Sequence, residues 1–430
     1  MSFFEAHARP ACAGAIALCI GWIGSVPSLS WAAENAPGPD LSLQTAVAQT
    51  LRHNPDLAGT PYVLRAAEAR IVQAGLKPAP ELSVEVEDFL GSGSAQGFSG
   101  SQTTFALSQV IELGRRRDRR VEAAGAARDL VAIESQARQL DVLAELTRRF
   151  IDVAAGQERL AVSVRGVDLA RRTTAEVQKR VEAAKAPDVE LHRARIAQRR
   201  AALVLQSAER ELRSARRKLA AMWGATDATF GTVEADLFGL PQAGDFAALL
   251  DRVRGNPDFL RFASEARLRD AEFRLAESRR LPDIRIAGGV RRLEVTQDQA
   301  FVASVSIPLF TRTRIAGAVA EAQSQRELVT AQQQAALVRA QAQLFELHQA
   351  LRSALAEATA LRDEMLPELE AVLDEAEYAY RRGRYSYLEW TAAQGELLDA
   401  QRRLIEAAAD AHRDLTEIER LTSEPLIVPN

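Results

Sequence analysis

Residues 284–310 read IRIAGGVRRLEVTQDQAFVASVSIPLF. Ile284, Ile286, Gly288 and Val290 alternate with Arg285, Ala287, Gly289 and Arg291, and Phe301, Ala303, Val305 and Ile307 alternate with Val302, Ser304 and Ser306. Strict alternation gives each segment one apolar and one polar face, as a β-strand requires. Two earlier segments repeat the pattern. Leu82, Val84 and Val86 alternate with Ser83, Glu85 and Glu87, and Phe105 and Leu107 with Thr104, Ala106 and Ser108. Alternation alone fits two settings equally: a half-buried strand of a soluble sheet, and a tilted strand of a membrane barrel with lipid outside and water inside.

The segments that follow the strands separate these readings. From about Arg115 to Ala183, and again from about Thr311 to Arg381, the chain is helix-compatible, with no proline before Pro367 in the second run. A helix of that length extends roughly 105 Å. Return helices are expected from about Asp188 to Met222 and from Tyr387 to Leu421. Leu130, Ile133, Leu140, Leu143, Leu146 and Phe150 recur at three- and four-residue spacing with Arg, Glu and Gln between, a coiled-coil pattern. Alanine at many seam positions lets such helices approach closely. Four strands cannot close a barrel, and a bilayer tolerates no open sheet edge. Membrane strands in this chain therefore require further copies of it.

The chain repeats itself with a period near 200 residues. Asn54-Pro55-Asp56-Leu57 returns as Asn256-Pro257-Asp258-Phe259, offset by 202, and Pro80 returns as Pro282. Ser108-Gln109-Val110-Ile111 corresponds to Ser306-Ile307-Pro308-Leu309 at offset 198. Ala184-Lys185 and Val189-Glu190 correspond to Gly383-Arg384 and Leu388-Glu389 at offset 199. Each half, about 41–240 and 245–421, then reads as a short helix stopped at Asn-Pro, a second helix, two strands and a long helical hairpin.

At the N-terminus an apolar run from Ala11 to Val26 follows Arg9, with small residues at Ser30 and Ala32. Residues 1–32 read as an export signal, leaving a mature chain of 33–430. Both cysteines, Cys12 and Cys19, fall inside that signal, so neither a disulfide nor a thiolate site is expected in the mature chain. Leu18 before Cys19 argues against a lipoprotein site. Past the signal no stretch is apolar enough for a transmembrane helix. The net charge of -4 disfavours a nucleic-acid binder.

The two repeats, the early Asn-Pro-Asp-Leu and the Ser306–Phe310 lead into a long helix resemble the TolC-type outer-membrane efflux proteins. Residues 380–389, YRRGRYSYLE, are similar to the CzcC-like heavy-metal branch of that family. The resemblance implies a mainly helical chain with a membrane β-barrel portion. Three copies would form a 12-stranded barrel and a 12-helix periplasmic tunnel. It also implies a periplasmic adaptor and an inner-membrane pump of the resistance-nodulation-division type as partners. The two helical turns, Ala184, Lys185 and Pro187 in the first and Arg382, Gly383, Arg384, Tyr385 and Ser386 in the second, would form the tip where the adaptor docks. Ala184 stands where the family usually has glycine, which puts the shape of the first turn in question.

Glu190 and Glu389 occupy matching places after the two turns, where the family carries carboxylates at the channel entrance. A ring of them in an oligomer would attract cations; a solvated helix face is the plain alternative. Arg115, Arg116, Arg117, Arg312 and Arg314 follow the strands and would mark the membrane–periplasm boundary, meeting outer-membrane lipid phosphates, or simply begin a solvated helix. His53, His192, His348 and His412 form no metal-binding spacing. No nucleophile–base arrangement or phosphate loop is present, so neither catalysis nor a cofactor is expected. The alternatives are a multidrug or type I secretion channel of the same fold, and a periplasmic coiled-coil adaptor.

Overall fold

The computed structural model describes residues 38–423, apart from the side chain of Ser94; the expected export signal lies outside the described residues. In chain order the elements of the first half are β1 (Leu41–Ser42), α1 (Leu43–His53), α2 (Pro55–Ala58), α3 (Thr60–Ala74), β2 (Glu81–Glu87), β3 (Gln102–Ile111), α4 (Arg116–Glu182), α5 (Asp188–Ala220) and β4 (Val233–Glu234). The second half continues with α6 (Phe246–Val253), α7 (Pro257–Ser278), β5 (Ile284–Leu293), β6 (Gln299–Ser306), α8 (Thr311–Arg314), α9 (Ala316–Ala360), a π-helical turn (Leu361–Met365), α10 (Leu366–Arg381) and α11 (Tyr387–Thr422).

The Asn-Pro motif works the same way in both halves. Asn54 Oδ1 accepts from the backbone N–H of Asp56 at 2.9 Å and Leu57 at 3.2 Å, capping α2, and Pro55 fills a first-turn position that needs no N–H. Asn54 Nδ2 donates to the carbonyl of Met222 at 2.7 Å, just past the end of α5. Asn256 caps α7 through Asp258 N–H at 2.8 Å and donates to the carbonyl of Arg420 at 2.6 Å, near the end of α11. Each asparagine thus starts one helix and ties it to the end of the returning one.

The strands form one antiparallel sheet in the order β2-β3-β5-β6. Register sets like residues side by side: Leu82, Leu107, Gly288 and Ala303 share one row, and Val84, Phe105, Val290 and Phe301 the next. That face is apolar and uncovered by any of the described residues, with Phe301 94% exposed, Leu82 72% and Val305 67%. The other face is polar and internally paired. Arg285 bridges to Glu81 and Arg291 to Glu87, while Arg291 also donates to Thr104 at 2.9 Å and Gln102 at 3.0 Å. Gly289 is required where it stands, since a Cβ there would lie 2.2 Å from the carbonyl oxygen of Phe105 across the ladder. Among the described residues, β2 and β6 leave both edges of this sheet without a neighbour. The strand reading had included Ile307; β6 ends at Ser306, before Pro308, which has no N–H to donate.

α4 runs unbroken for 67 residues, about 100 Å. Of the regularly spaced residues, Leu146 and Phe150 are buried in one cluster with Leu212, Leu219, Met222, Ala154 and Ala220, whereas Leu130, Ile133, Leu140 and Leu143 are only partly buried. Each fully buried Leu or Phe contributes about 1.5–3 kcal/mol. The second long run differs from expectation. Thr311 to Arg381 is not one helix: it breaks at Ile315 and passes through the π turn at Leu361–Met365. Pro367 supplies the reason for the π turn, because it lacks the N–H that an α-helix would bond to the carbonyl four residues back. The short β1–β4 pair, parallel, holds residues 41–42 against 233–234, and Asp40 accepts from the Thr232 hydroxyl at 2.6 Å.

Candidate functional site at the paired helical turns

The far ends of α4 and α10 close in the same way. At the first turn the N–H of Ala184 donates to the carbonyl of Val181 at 2.9 Å and that of Lys185 to Arg180 at 2.8 Å. At the second, Gly383 donates to Tyr380 at 2.9 Å and Arg384 to Ala379 at 2.9 Å. Both are Schellman closures, which place one residue in the left-handed region. That residue is Ala184 with φ +52° in the first and Gly383 with φ +73° in the second. The absent glycine therefore does not reshape the first turn; alanine holds the same geometry at a conformational cost of roughly 1 kcal/mol.

The returning helices begin differently. Ser386 caps α11: its hydroxyl accepts from Glu389 N–H at 3.3 Å, and its own N–H donates to Glu389 Oε2 at 2.7 Å. This reciprocal box holds the exposed Glu389 carboxyl below its usual pKa, chiefly through the Ser386 backbone bond. α5 begins at Pro187, which has no N–H and makes no side-chain cap. Glu190 holds the corresponding third position of its helix, but the box cannot form. Its carboxylate instead accepts from the Tyr380 hydroxyl at 3.0 Å.

Tyr380 is the centre of the site. Its ring stacks on Trp390 with centroids 4.8 Å apart, and the Arg180 guanidinium lies over it at 4.5 Å. Arg180 also donates to the carbonyl of Tyr380 and, at 3.4 Å, to that of Lys185. Burial, and then the bond to Glu190, push the phenol pKa upward. Val177, Ala194, Ala376, Tyr387 and Ala393 pack around this group. The Trp390 indole N–H is buried without a hydrogen-bond partner among the described residues.

Among the anticipated residues, the structure brings Lys185, Gly383 and Glu190 together through Arg180 and Tyr380, while Ala184 bonds to Val181 within its own turn. Arg382 turns aside to lie over Tyr378 at 4.6 Å. Arg384 and Tyr385 are exposed. Arg180 and Trp390 were not singled out in the sequence. The one signal for Arg180 was its place in the last turn of α4, where a cation can reach the free carbonyls.

Of the arginines after the strands, Arg115, Arg116 and Arg117 lie at the opposite end of α4, and Arg312 and Arg314 on α8. Arg116 is engaged internally, with Asp283 and with the carbonyl of Leu281 at 2.9 Å. Arg120 pairs with Glu112 and donates to the carbonyls of Ala74 at 3.2 Å and Leu76 at 3.0 Å, closing the end of α3. Arg115, Arg117, Arg312 and Arg314 are exposed. Two histidines serve packing: His348 is bonded to the Gly244 carbonyl at 3.0 Å and His412 to that of Leu237 at 3.1 Å.

A sheet with an exposed apolar face, a paired polar face and two open edges, joined to helical hairpins about 100 Å long, defines the class of outer-membrane channel subunits. The chain belongs to the family described as outer membrane efflux protein, which it matches over residues 46–225 and 252–424. It is 28% identical over 386 residues to the cobalt-zinc-cadmium resistance protein CzcC of Cupriavidus metallidurans, covering 90% of each chain. Its fold is that of a membrane protein from Pseudomonas aeruginosa (TM-score 0.74, 18% identity, 90% of this chain and 91% of the other). It is likewise that of the outer membrane protein VceC from Vibrio cholerae (TM-score 0.71, 18% identity, 88% and 96%). The fold is thus TolC-like, and the chain is an efflux protein of the outer membrane.

Proposed function

We propose that three copies of this chain close a 12-stranded barrel over a 12-helix periplasmic tunnel, and that the tunnel passively conducts heavy-metal cations of the cobalt, zinc and cadmium type. The observation that carries the oligomer is the sheet: its two open edges and uncovered apolar face have no partner among the described residues. Likeness to CzcC supports the metal reading, because that relative is named for resistance to those ions. No catalysis is involved. Energy comes from an inner-membrane resistance-nodulation-division pump, coupled through a periplasmic adaptor. The adaptor docks on the two turns, at Ala184, Lys185 and Pro187 and at Arg382 through Ser386. Arg115, Arg117, Arg312 and Arg314 meet lipid phosphates where the barrel enters the membrane.

The entrance lies at the turns, where Glu190 and Glu389 contribute carboxylates from each copy. The bonds of Arg180 and Glu190 to Tyr380 hold the two hairpins together, and the entrance opens when adaptor binding separates them. Growth of a deletion strain complemented by plasmid-borne variants tests this reading. Metal resistance restored by the unmodified chain and lost on charge reversal at both Glu190 and Glu389 supports it. Resistance restored equally by both contradicts the carboxylate entrance.

A further inference from the structure

The sheet has two connections at the end away from the long helices, and they are chemically unlike. β2 passes to β3 through residues 88–101, and β5 to β6 through 294–298. From Phe89 to Ile111 the chain carries no charged side chain, although 26% of its residues are charged. The shorter connection reads Glu294-Val295-Thr296-Gln297-Asp298, with Arg291 and Arg292 just before it.

The longer connection turns its polar groups on one another and its apolar ones outward. The Leu90 N–H donates to the Gly97 carbonyl at 2.7 Å and the Gly91 N–H to that of Ala95 at 2.8 Å. The Ser99 hydroxyl donates to the Gln96 carbonyl and the Ser101 hydroxyl to that of Phe98, both at 2.8 Å. Phe89 and Phe98 stack, with centroids 5.8 Å apart. Yet Leu90 is 68% exposed and Phe98 63%. Leu90 also holds a left-handed φ of +57°, which leucine rarely adopts. The loop thus presents apolar side chains at a conformational cost that contact with water does not offset.

We infer that residues 88–101 are a lipid anchor: Phe89, Leu90 and Phe98 enter the outer leaflet at the rim of the barrel, while the connection 294–298 stays in water. Val86, on the apolar sheet face, is the last apolar residue before Phe89, so the pad continues the lipid-facing surface. Aromatic residues flank the apolar band of outer-membrane barrels. A second copy is a poor occupant. β2 is an edge strand, and the edge strand another copy would bring to it, β6, carries the acidic connection, whose carboxylates suit water and not an aromatic pad. The inference rests on the oligomeric barrel proposed above.

Tryptophan quenching in the full-length oligomer tests it. Phe98→Trp, Val295→Trp and Phe301→Trp are each reconstituted in phosphatidylcholine vesicles with and without bromine on the acyl chains, and the emission of the unmodified chain is subtracted. Val295 is 68% exposed, like Leu90, and so controls for exposure alone; Phe301 reports on the sheet face. The anchor predicts that bromine lowers the Phe98→Trp emission about twofold or more, as it lowers that of Phe301→Trp, and leaves Val295→Trp nearly unchanged. Quenching of Phe98→Trp no greater than that of Val295→Trp, with Phe301→Trp quenched, overturns the anchor and keeps the barrel. Aqueous iodide then tells whether the side chain met water or a neighbouring copy. An unquenched Phe301→Trp overturns the barrel's placement together with the anchor.

Discussion

The hydroxyl of Tyr380 donates to the carboxylate of Glu190 at 3.0 Å, across the gap between the two hairpins. The bond exists because of Pro187. In α11 the matching glutamate, Glu389, spends its carboxylate on the N–H of Ser386. A proline at the same place in α5 offers no N–H, so Glu190 is left to reach Tyr380. One missing hydrogen atom converts a helix cap into a tie between hairpins.

Tyr380→Phe removes that tie while keeping the ring on Trp390. A bond to a charged acceptor contributes about 1.5–3 kcal/mol, so the open population should rise by about tenfold or more. Single-channel recording reads this directly, and an unchanged open probability would show that the bond does not hold the gate.

Ala184 and Gly383 hold the same left-handed position, so exchanging them acts with opposite signs. Ala184→Gly should stabilise the protein by up to ~1 kcal/mol. Gly383→Ala should destabilise it by about as much, from conformation alone. A Cβ at Gly383 meets only the Arg180 side chain, at an ordinary 3.5 Å. Thermal denaturation of the purified protein gives both values.

Glu389→Gln keeps the reciprocal box with Ser386, because glutamine accepts the same backbone bond, and removes the charge. Glu389→Ala removes both and should cost about 1 kcal/mol of stability. If Glu389 helps select cations, the two variants lose selectivity alike and differ only in stability. Reversal potentials in salt gradients separate the two effects.

Glu419, on α11, has its pKa pushed up to about 7 by burial. An acid whose folded pKa is raised holds its proton in the fold over a range where the unfolded chain has lost it. Stability therefore falls as pH rises from about 4.5 through 7, and the penalty is complete above that window. Glu419→Gln should raise the melting temperature at pH 8, by an amount corresponding to at most ~3 kcal/mol, and leave it nearly unchanged at pH 4. An equal gain at both pH values would rule out titration as the cause.

Phe301, on the edge strand β6 and 94% exposed on the apolar face, tests the membrane placement. Phe301→Arg should destabilise the assembled barrel by about 2–4 kcal/mol if the side chain faces lipid. Val302→Arg, one residue along and on the polar face, should be tolerated far better. Recovery of heat-resistant oligomer from outer-membrane fractions distinguishes the two.

Much of this architecture was legible because its signals are periodic. Alternation at 82–86, 104–108, 284–291 and 301–305 marks the strands directly, and spacing at Leu146 and Phe150 marks the seam. The Asn-Pro repeats marked where a short helix stops before the next, although not the capping of that next helix nor the bonds from Asn54 to Met222 and from Asn256 to Arg420, which join residues far apart in the chain. The site was less legible. Glu190 and Glu389 look equivalent by offset, yet the N–H of Ser386 and its absence in Pro187 give them different partners. The π turn was hidden because Leu361–Met365 has ordinary helical composition; only Pro367 hinted at it. Arg116 was read as a boundary cation because its partner, Asp283, is supplied by the other repeat.

The central claim, that this chain conducts heavy-metal cations out of the cell, is tested most directly by growth of a deletion strain on cobalt, zinc, cadmium, nickel, copper and silver salts beside dyes, detergents and antibiotics. Sensitivity confined to metals, reversed by the unmodified chain, is the result expected here. Sensitivity confined to organic compounds would contradict it and assign the same fold to multidrug efflux.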